Sequence, residues 1–128
     1  MGIFRHPLIL LSATRDRAET VGAVVDTGSI FTWVPAPVLE GLGLDPEFEE
    51  DFRLADGRLV RRPMAEVRVE LLGRRRTTLV VFGIPGTAPL LGAYTLEAFS
   101  LAADPTNRRL VPGENYALHS DGVSQLRP

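Results

Sequence analysis

Cysteine is absent from the 128 residues. That excludes a disulfide framework, a thiolate metal site and a cysteine nucleophile, and it leaves the redox compartment open. Lysine is absent as well, so all 14 strong cations are arginine, a bias that a GC-rich genome or a hot habitat would each produce and that composition alone does not assign. The two histidines, His6 and His119, stand isolated with no companion at metal-ligand spacing, so neither a metal site nor a cofactor is expected. Long hydrophobic runs are missing too. Pro7-Leu8-Ile9-Leu10-Leu11 is followed within a few residues by Arg15, Asp16 and Arg17, which is too short for a spanning helix and poorly built for a signal peptide. No membrane partner is expected, and a cytoplasmic location is the default. Nor does one sign of charge dominate: a formal net charge of −2 gives no electrostatic reason for a nucleic-acid partner. Arg74-Arg75-Arg76 has no interleaved aromatics and follows a Leu72-Gly73 turn, so it reads as part of a solvated turn, and Arg61-Arg62 reads likewise.

What remains is a globular chain, 45% hydrophobic, of the length of one domain able to bury roughly two-thirds of its unfolded surface. No repeat, low-complexity segment or linker divides it. Short apolar runs punctuated by turn residues predict an all-β sandwich or barrel. Pro7 to Ser12 is a first strand, Thr14 to Ala18 a polar turn, and Glu19 to Val25 a second strand whose Ala23-Val24-Val25 end reads as buried on both faces. Pro37 suits the first turn of a short helix that Gly41 and Gly43 stop. From Phe48 to Leu71 alternation predicts one long hairpin with Asp56-Gly57 at its tip, the pair favoured in a type I′ turn. Pro63 marks an edge or bulge within it. Thr77 to Phe82 is a further buried strand, Ala93 to Ser100 a two-turn helix with Leu96 and Phe99 on one side, and Leu101 to Val111 a last hairpin. The domain is expected to span residues 1–112, with 113–128 as a tail that is partly mobile or docks in an assembly.

The most informative residues are Asp26-Thr27-Gly28-Ser29, delivered by an apolar strand end. A carboxylate in such a place costs on the order of several kcal/mol in desolvation unless donors, a partner charge or a shared proton compensate it. The plain alternative is an Asx turn in which Asp26 caps local N–H groups. Asp-Thr-Gly alone turns up by chance in roughly a few per cent of chains this long, so its neighbours decide. Ile30-Phe31-Thr32-Trp33-Val34-Pro35 follows it, and Leu90-Leu91-Gly92 comes later, ahead of the helical segment. Trp33 reads as a core aromatic at a strand end, with the lining of a pocket as the alternative.

Together these elements resemble the aspartic proteases of the pepsin and retropepsin type, over about Glu19 to Val111. The resemblance implies an acid-protease barrel, closed or partly open, with one lobe per chain, a flap hairpin and a short C-terminal helix. Only one Asp-Thr-Gly is present, so the second carboxylate would come from a twin chain across a two-fold axis, and the partners implied are a second copy and a peptide or unfolded protein. Asp26, Thr27 and Gly28 would be the catalytic residues. Thr27 would hydrogen-bond across the dimer base, Gly28 would let backbone approach the carboxylate, and Ser29 would bond the outer oxygen of Asp26. Substrate would meet Ser29, Ile30 and Phe31, the flap residues Ala55, Asp56, Gly57 and Arg58, and the downstream Leu90, Leu91 and Gly92. Viral members usually carry an acidic residue shortly after the motif and an arginine after the downstream glycine. Here Ile30 and Ala93 stand there, which implies more apolar subsites, and the flap has only Gly57 in place of a glycine cluster. The implied activity is that of an aspartic endopeptidase; the alternative is a peptide-binding or assembly module with negligible turnover on the same dimeric fold, with RNA binding a distant third.

Overall fold

Nine strands and two short helices make up the described part of the computed structural model, residues 3–114. In chain order they are β1 (Arg5–Leu11), β2 (Ala18–Val25), β3 (Thr32–Pro35), α1 (Ala36–Gly41), β4 (Phe48–Arg53), β5 (Leu59–Leu71), β6 (Arg74–Gly83), β7 (Leu90–Leu91), α2 (Ala93–Ala98), β8 (Leu101–Asp104) and β9 (Arg109–Pro112). The expected tail and His119 fall outside the described residues, except that Gly113 donates its N–H to Ser100 O at 2.8 Å and so continues the β8–β9 hairpin.

Seven strands form one sheet in the order β1-β2-β7-β3-β6-β5-β4, and a further pairing of Ile9 and Leu10 with Glu70 and Val69 joins β1 back to β5. The sheet therefore closes on itself as a small barrel, with β4 projecting beside it. Alternation decides which side chains enter the barrel: along β5, Val67, Val69 and Leu71 are buried while Glu66 is exposed. They meet Leu8 and Leu10 of β1, Val80 and Phe82 of β6, and Leu96 and Phe99 behind them. The end of β2 is less enclosed than its apolar run suggests. Val21, Ala23 and Val25 share the core side, but Val24 points the other way and is only half-buried.

Strand β5 changes partners halfway. Leu59 to Met64 pair with β4, and Met64 to Leu71 pair with β6. Pro63, lacking an N–H, sits just before β6 takes over, at the single-sided edge the sequence called for. The Phe82 carbonyl, one residue beyond the end of that ladder, instead accepts two hydrogen bonds from the Arg62 guanidinium at 2.7 and 3.0 Å.

Two expectations about turns and charge need correction. The tip at Asp56-Gly57 is not a type I′ turn: Gly57 has φ 89° but Asp56 does not have positive φ. Gly57 N–H bonds Leu54 O and Leu54 N–H bonds Arg58 O, the three-residue loop in which an ordinary turn is followed by a left-handed glycine. The two-residue turn with both φ positive lies at Leu72 (51°) and Gly73 (79°), where β5 meets β6. Arg74-Arg75-Arg76 is correspondingly not part of the turn but the start of β6, with Arg74 and Arg75 exposed and Arg76 half-buried. Arg74 and Arg76 donate to Phe99 O at 3.2 Å and Ala98 O at 2.7 Å, supplying donors to carbonyls that α2 leaves unpaired at its C-terminal end. Arg76 also lies 5.6 Å above the Phe99 ring. Helix α1 ends as expected, with Gly43 left-handed and Gly43 and Leu44 N–H groups turned back onto Glu40 O and Leu39 O.

Candidate active site

Strands β2 and β3 are joined directly by residues 26–31, yet they do not pair. Strand β7 lies between them, parallel to β2 through Val24–Leu90 and Val25–Leu91 and antiparallel to β3 through Trp33–Leu90. The loop that carries Asp26 thus arches over the end of β7. Backbone bonds fasten it there: Asp26 N–H to Leu91 O at 3.0 Å, Ala93 N–H to Ser29 O at 2.9 Å and Tyr94 N–H to Ile30 O at 2.8 Å. Gly92 is the point of closest approach. A Cβ built on it would stand 2.4 Å from Phe31 O and 2.9 Å from Ile30 O, so only glycine lets the two segments touch. Its own N–H donates to Thr32 Oγ1 at 3.1 Å.

Within the loop, Asp26 is half-buried and its Oδ1 accepts the Gly28 N–H at 3.0 Å. This is the Asx-type bond that the structural alternative foresaw, and it orients one carboxylate oxygen while leaving lone pairs on both oxygens. A side chain at position 28 would bring its Cβ to 3.2 Å from that same Oδ1, a tight contact to which the carboxylate would have to yield by a few tenths of an ångström. Ser29 departs from expectation. Its hydroxyl proton goes to Phe31 O at 2.8 Å and so is not given to the aspartate; the hydroxyl braces the loop's far side instead. Thr27 is exposed beside Asp26.

Above the loop opens a cleft of about 800 Å³. Of the residues singled out from the sequence, Asp26, Gly28, Ser29, Ile30, Phe31, Ala55 and Leu90 line it together. Leu91 and Gly92 are buried beneath the loop and do not reach it. Asp56, Gly57 and Arg58 lie at the hairpin tip, outside this lining. There the Asp56 carboxyl is held below its ordinary value of 3.8, first by the Arg58 backbone N–H and then by the Arg58 guanidinium.

Trp33 and Phe52 were not among the expected site residues, and both line the cleft. Trp33 is half-buried, not a core aromatic: its ring packs on Phe52 at 5.0 Å, and Phe52 meets Phe31 edge-on at 6.1 Å. These contacts tie the β4–β5 hairpin, close to its tip, to the aspartate loop. Phe52 could have been found from alternation, since Phe48, Glu50 and Phe52 must share a face. Ile84 and Thr87, from the loop after β6, complete one wall, and no local signal marks them. Among the described residues no group of three or more potential metal ligands occurs, and no helix is long and apolar enough to cross a membrane.

No family model and no curated protein matches the sequence. Solved structures do match. The protease of simian foamy virus aligns with a TM-score of 0.51 at 20% identity, over 72% of this chain and 92% of that one. A retropepsin-like aspartic protease from Rickettsia conorii aligns with a TM-score of 0.55 at 20% identity, over 80% and 85%. At that identity the likeness is one of fold: this chain has a retropepsin-like fold.

Proposed function

We propose that the chain is one half of a homodimeric aspartic endopeptidase. The observation that carries the reading is a single oriented carboxylate, Asp26, on a fastened loop at the floor of an apolar cleft large enough for an extended peptide. One carboxylate is not enough. Hydrolysis without a metal or covalent nucleophile needs one group to take a proton from water and another to protonate the substrate. A second copy, related by a two-fold axis, brings the same patch and hence a second Asp26 to the first. Two carboxylates about 3 Å apart cannot easily both ionise and so share one proton, the arrangement known for aspartic proteases as a class. The charged Asp26 takes a proton from water as its oxygen attacks the scissile carbonyl carbon, and the protonated Asp26 gives its proton to the carbonyl oxygen. Collapse of the tetrahedral intermediate then breaks the C–N bond as the amine is protonated.

Thr27, exposed next to Asp26, is the residue we assign to the dimer base. The Leu54 to Arg58 tip acts as the flap, closing over peptide and excluding water. With Ile30, Phe31, Trp33, Phe52 and Leu90 around the carboxylate, side chains beside the cut are apolar. Two paired carboxylates have no use in a pure peptide-binding module, so the catalytic reading is preferred to that alternative.

The test is Asp26→Asn, which keeps size but cannot share a proton or act as base. Its homodimers fold and are inactive toward an unfolded protein at mildly acidic pH, where wild type is active and is blocked by a statine-type transition-state mimic. In an equal mixture after full subunit exchange, about a quarter of dimers are wild type and about half are mixed. If mixed dimers are dead, activity falls to about half that of the same amount of wild type alone. Undiminished activity after verified exchange would mean that each chain works by itself.

A further inference from the structure

Of the four polar side chains buried among the described residues, three are threonines that touch one another: Thr32 on β3, Thr78 on β6 and Thr95 on α2, at 0%, 2% and 0% exposure. Thr32 Oγ1 and Thr95 Oγ1 are 2.6 Å apart, and Thr95 Oγ1 and Thr78 Oγ1 are 2.9 Å apart. The row ends at the Gly92 N–H, which donates into Thr32 Oγ1. Packing alone does not ask for this. Where a hydroxyl and its partners are replaced by apolar groups of the same shape, a core can be nearly unaffected, and valine has the shape of threonine. What the hydroxyls supply is direction, because a hydrogen-bonded row fixes α2 against β3 and β6 in one setting.

That setting matters because of what the start of α2 holds. The Leu91 carbonyl takes the Asp26 N–H, and the Ala93 and Tyr94 N–H groups hold the Ser29 and Ile30 carbonyls. Residues 91–94 are therefore a splint along the aspartate loop, and Thr95 is the next residue. We infer that Thr95 is a positioning residue: through the row to Thr32 and Thr78 it sets the attitude of the 91–94 splint and so of the Asp26 carboxylate. Its kinetic consequence rests on the aspartic-protease reading above. Thr95 does not line the cleft, so substrate binding should be nearly untouched. Misplacing a catalytic group by a fraction of an ångström to an ångström costs on the order of ten- to a hundredfold in rate.

The experiment compares wild type with Thr95→Val, Thr95→Ser and Thr78→Val by hydrogen exchange and by steady-state kinetics. In Thr95→Val the amides of Asp26, Ser29, Ala93 and Tyr94 lose protection while those of Leu8 and Val67 in the barrel keep theirs. In kinetics kcat falls on the order of tenfold or more with KM little changed. The two limbs of the pH–rate profile move closer together, because the interaction between paired carboxylates depends on their separation. Thr95→Ser restores both readouts, and Thr78→Val shows the same pattern more weakly. Should Thr95→Val not fold, Thr78→Val carries the comparison. Unchanged protection at the four amides, loss spread evenly over the barrel, or failure of serine to rescue overturns the assignment. If wild type itself cleaves nothing, the protease reading fails, and exchange alone still decides whether Thr95 positions the loop.

Discussion

Gly92 and Gly41 are both glycines without positive φ, and they differ in what a methyl group would meet. At Gly92 the nearest atom to an added Cβ is Phe31 O at 2.4 Å; at Gly41, the last residue of α1, nothing lies within 4 Å. Gly92→Ala must therefore push the aspartate loop off its splint. Forced overpacking of this kind costs about 1–3 kcal/mol, and the displacement falls on Asp26. Denaturant titration should show that loss, and any proteolytic activity should fall by more than stability alone explains. Gly41→Ala, in contrast, should stabilise by about 0.5–1 kcal/mol, since helical glycine costs that much relative to alanine. The sequence signalled Gly92 through its apolar-apolar-glycine setting and Asp26 through its own motif. It could not signal Ser29's actual partner, Phe31 O, because only folded geometry chooses which acceptor a hydroxyl meets.

Hairpins were legible as elements and so were the places of their turns at Asp56-Gly57 and Leu72-Gly73, but the types of turn were not. Asp-Gly was expected to make the two-residue turn, yet that geometry belongs to Leu72-Gly73, where register decides: Leu71 pairs with Arg74, leaving room for only two residues. Leucine has no liking for φ 51° and is 56% exposed there. Leu72→Asn should therefore raise stability by roughly 0.5–1 kcal/mol, within the 1–2 kcal/mol that an ordinary side chain forfeits in the left-handed region. An unchanged or lower denaturation midpoint would count against that turn. The arginine run at residues 74–76 is exposed at Arg74 and Arg75 as the sequence suggests, but it starts a strand and has acceptors that the sequence hides for a related reason. A string of like charges says nothing about which acceptors it meets, and the carbonyls at the end of α2 that Arg74 and Arg76 reach lie more than twenty residues downstream in sequence. At the flap tip the Asp56–Arg58 clasp has a defined pH range. The depressed Asp56 carboxyl contributes its share above its unfolded value, and that share is lost only as pH falls through the lower folded value. The clasp between Asp56 and Arg58 therefore weakens only below the ordinary carboxylate range.

One barrel with one carboxylate is a complete fold and, under the proposed function, half a site. Large apolar side chains stand out near the loop: Ile30 is 67% exposed, Tyr94 43% and Ile84 41%. A scatter of single exposed hydrophobics needs no explanation, but Ile30 and Ile84 line the cleft with Asp26, and Tyr94 packs on Phe31 of the same lining. Sedimentation equilibrium should accordingly show a monomer–dimer equilibrium that shifts to monomer on Ile30→Asp. Specific activity should fall on dilution through the same concentration range. A monomer with activity independent of dilution would separate the fold from the mechanism proposed for it. At this scale the all-β barrel was readable because alternation and turn residues are local signals. Strand order was not, since the insertion of β7 between β2 and β3 joins residues from distant parts of the chain.

That insertion also sets a timetable. Asp26 is made early during synthesis, in the first quarter of the chain, but β7 and the 91–94 splint that hold its loop are made after most of the barrel strands. Pairings between such distant segments form late and slowly. A nascent chain can thus carry its aspartate out of the ribosome with the loop still unbraced. The backbone bonds that brace the Asp26 loop can form only once residues 91–94, at the start of the last third of the 128 residues, have been made.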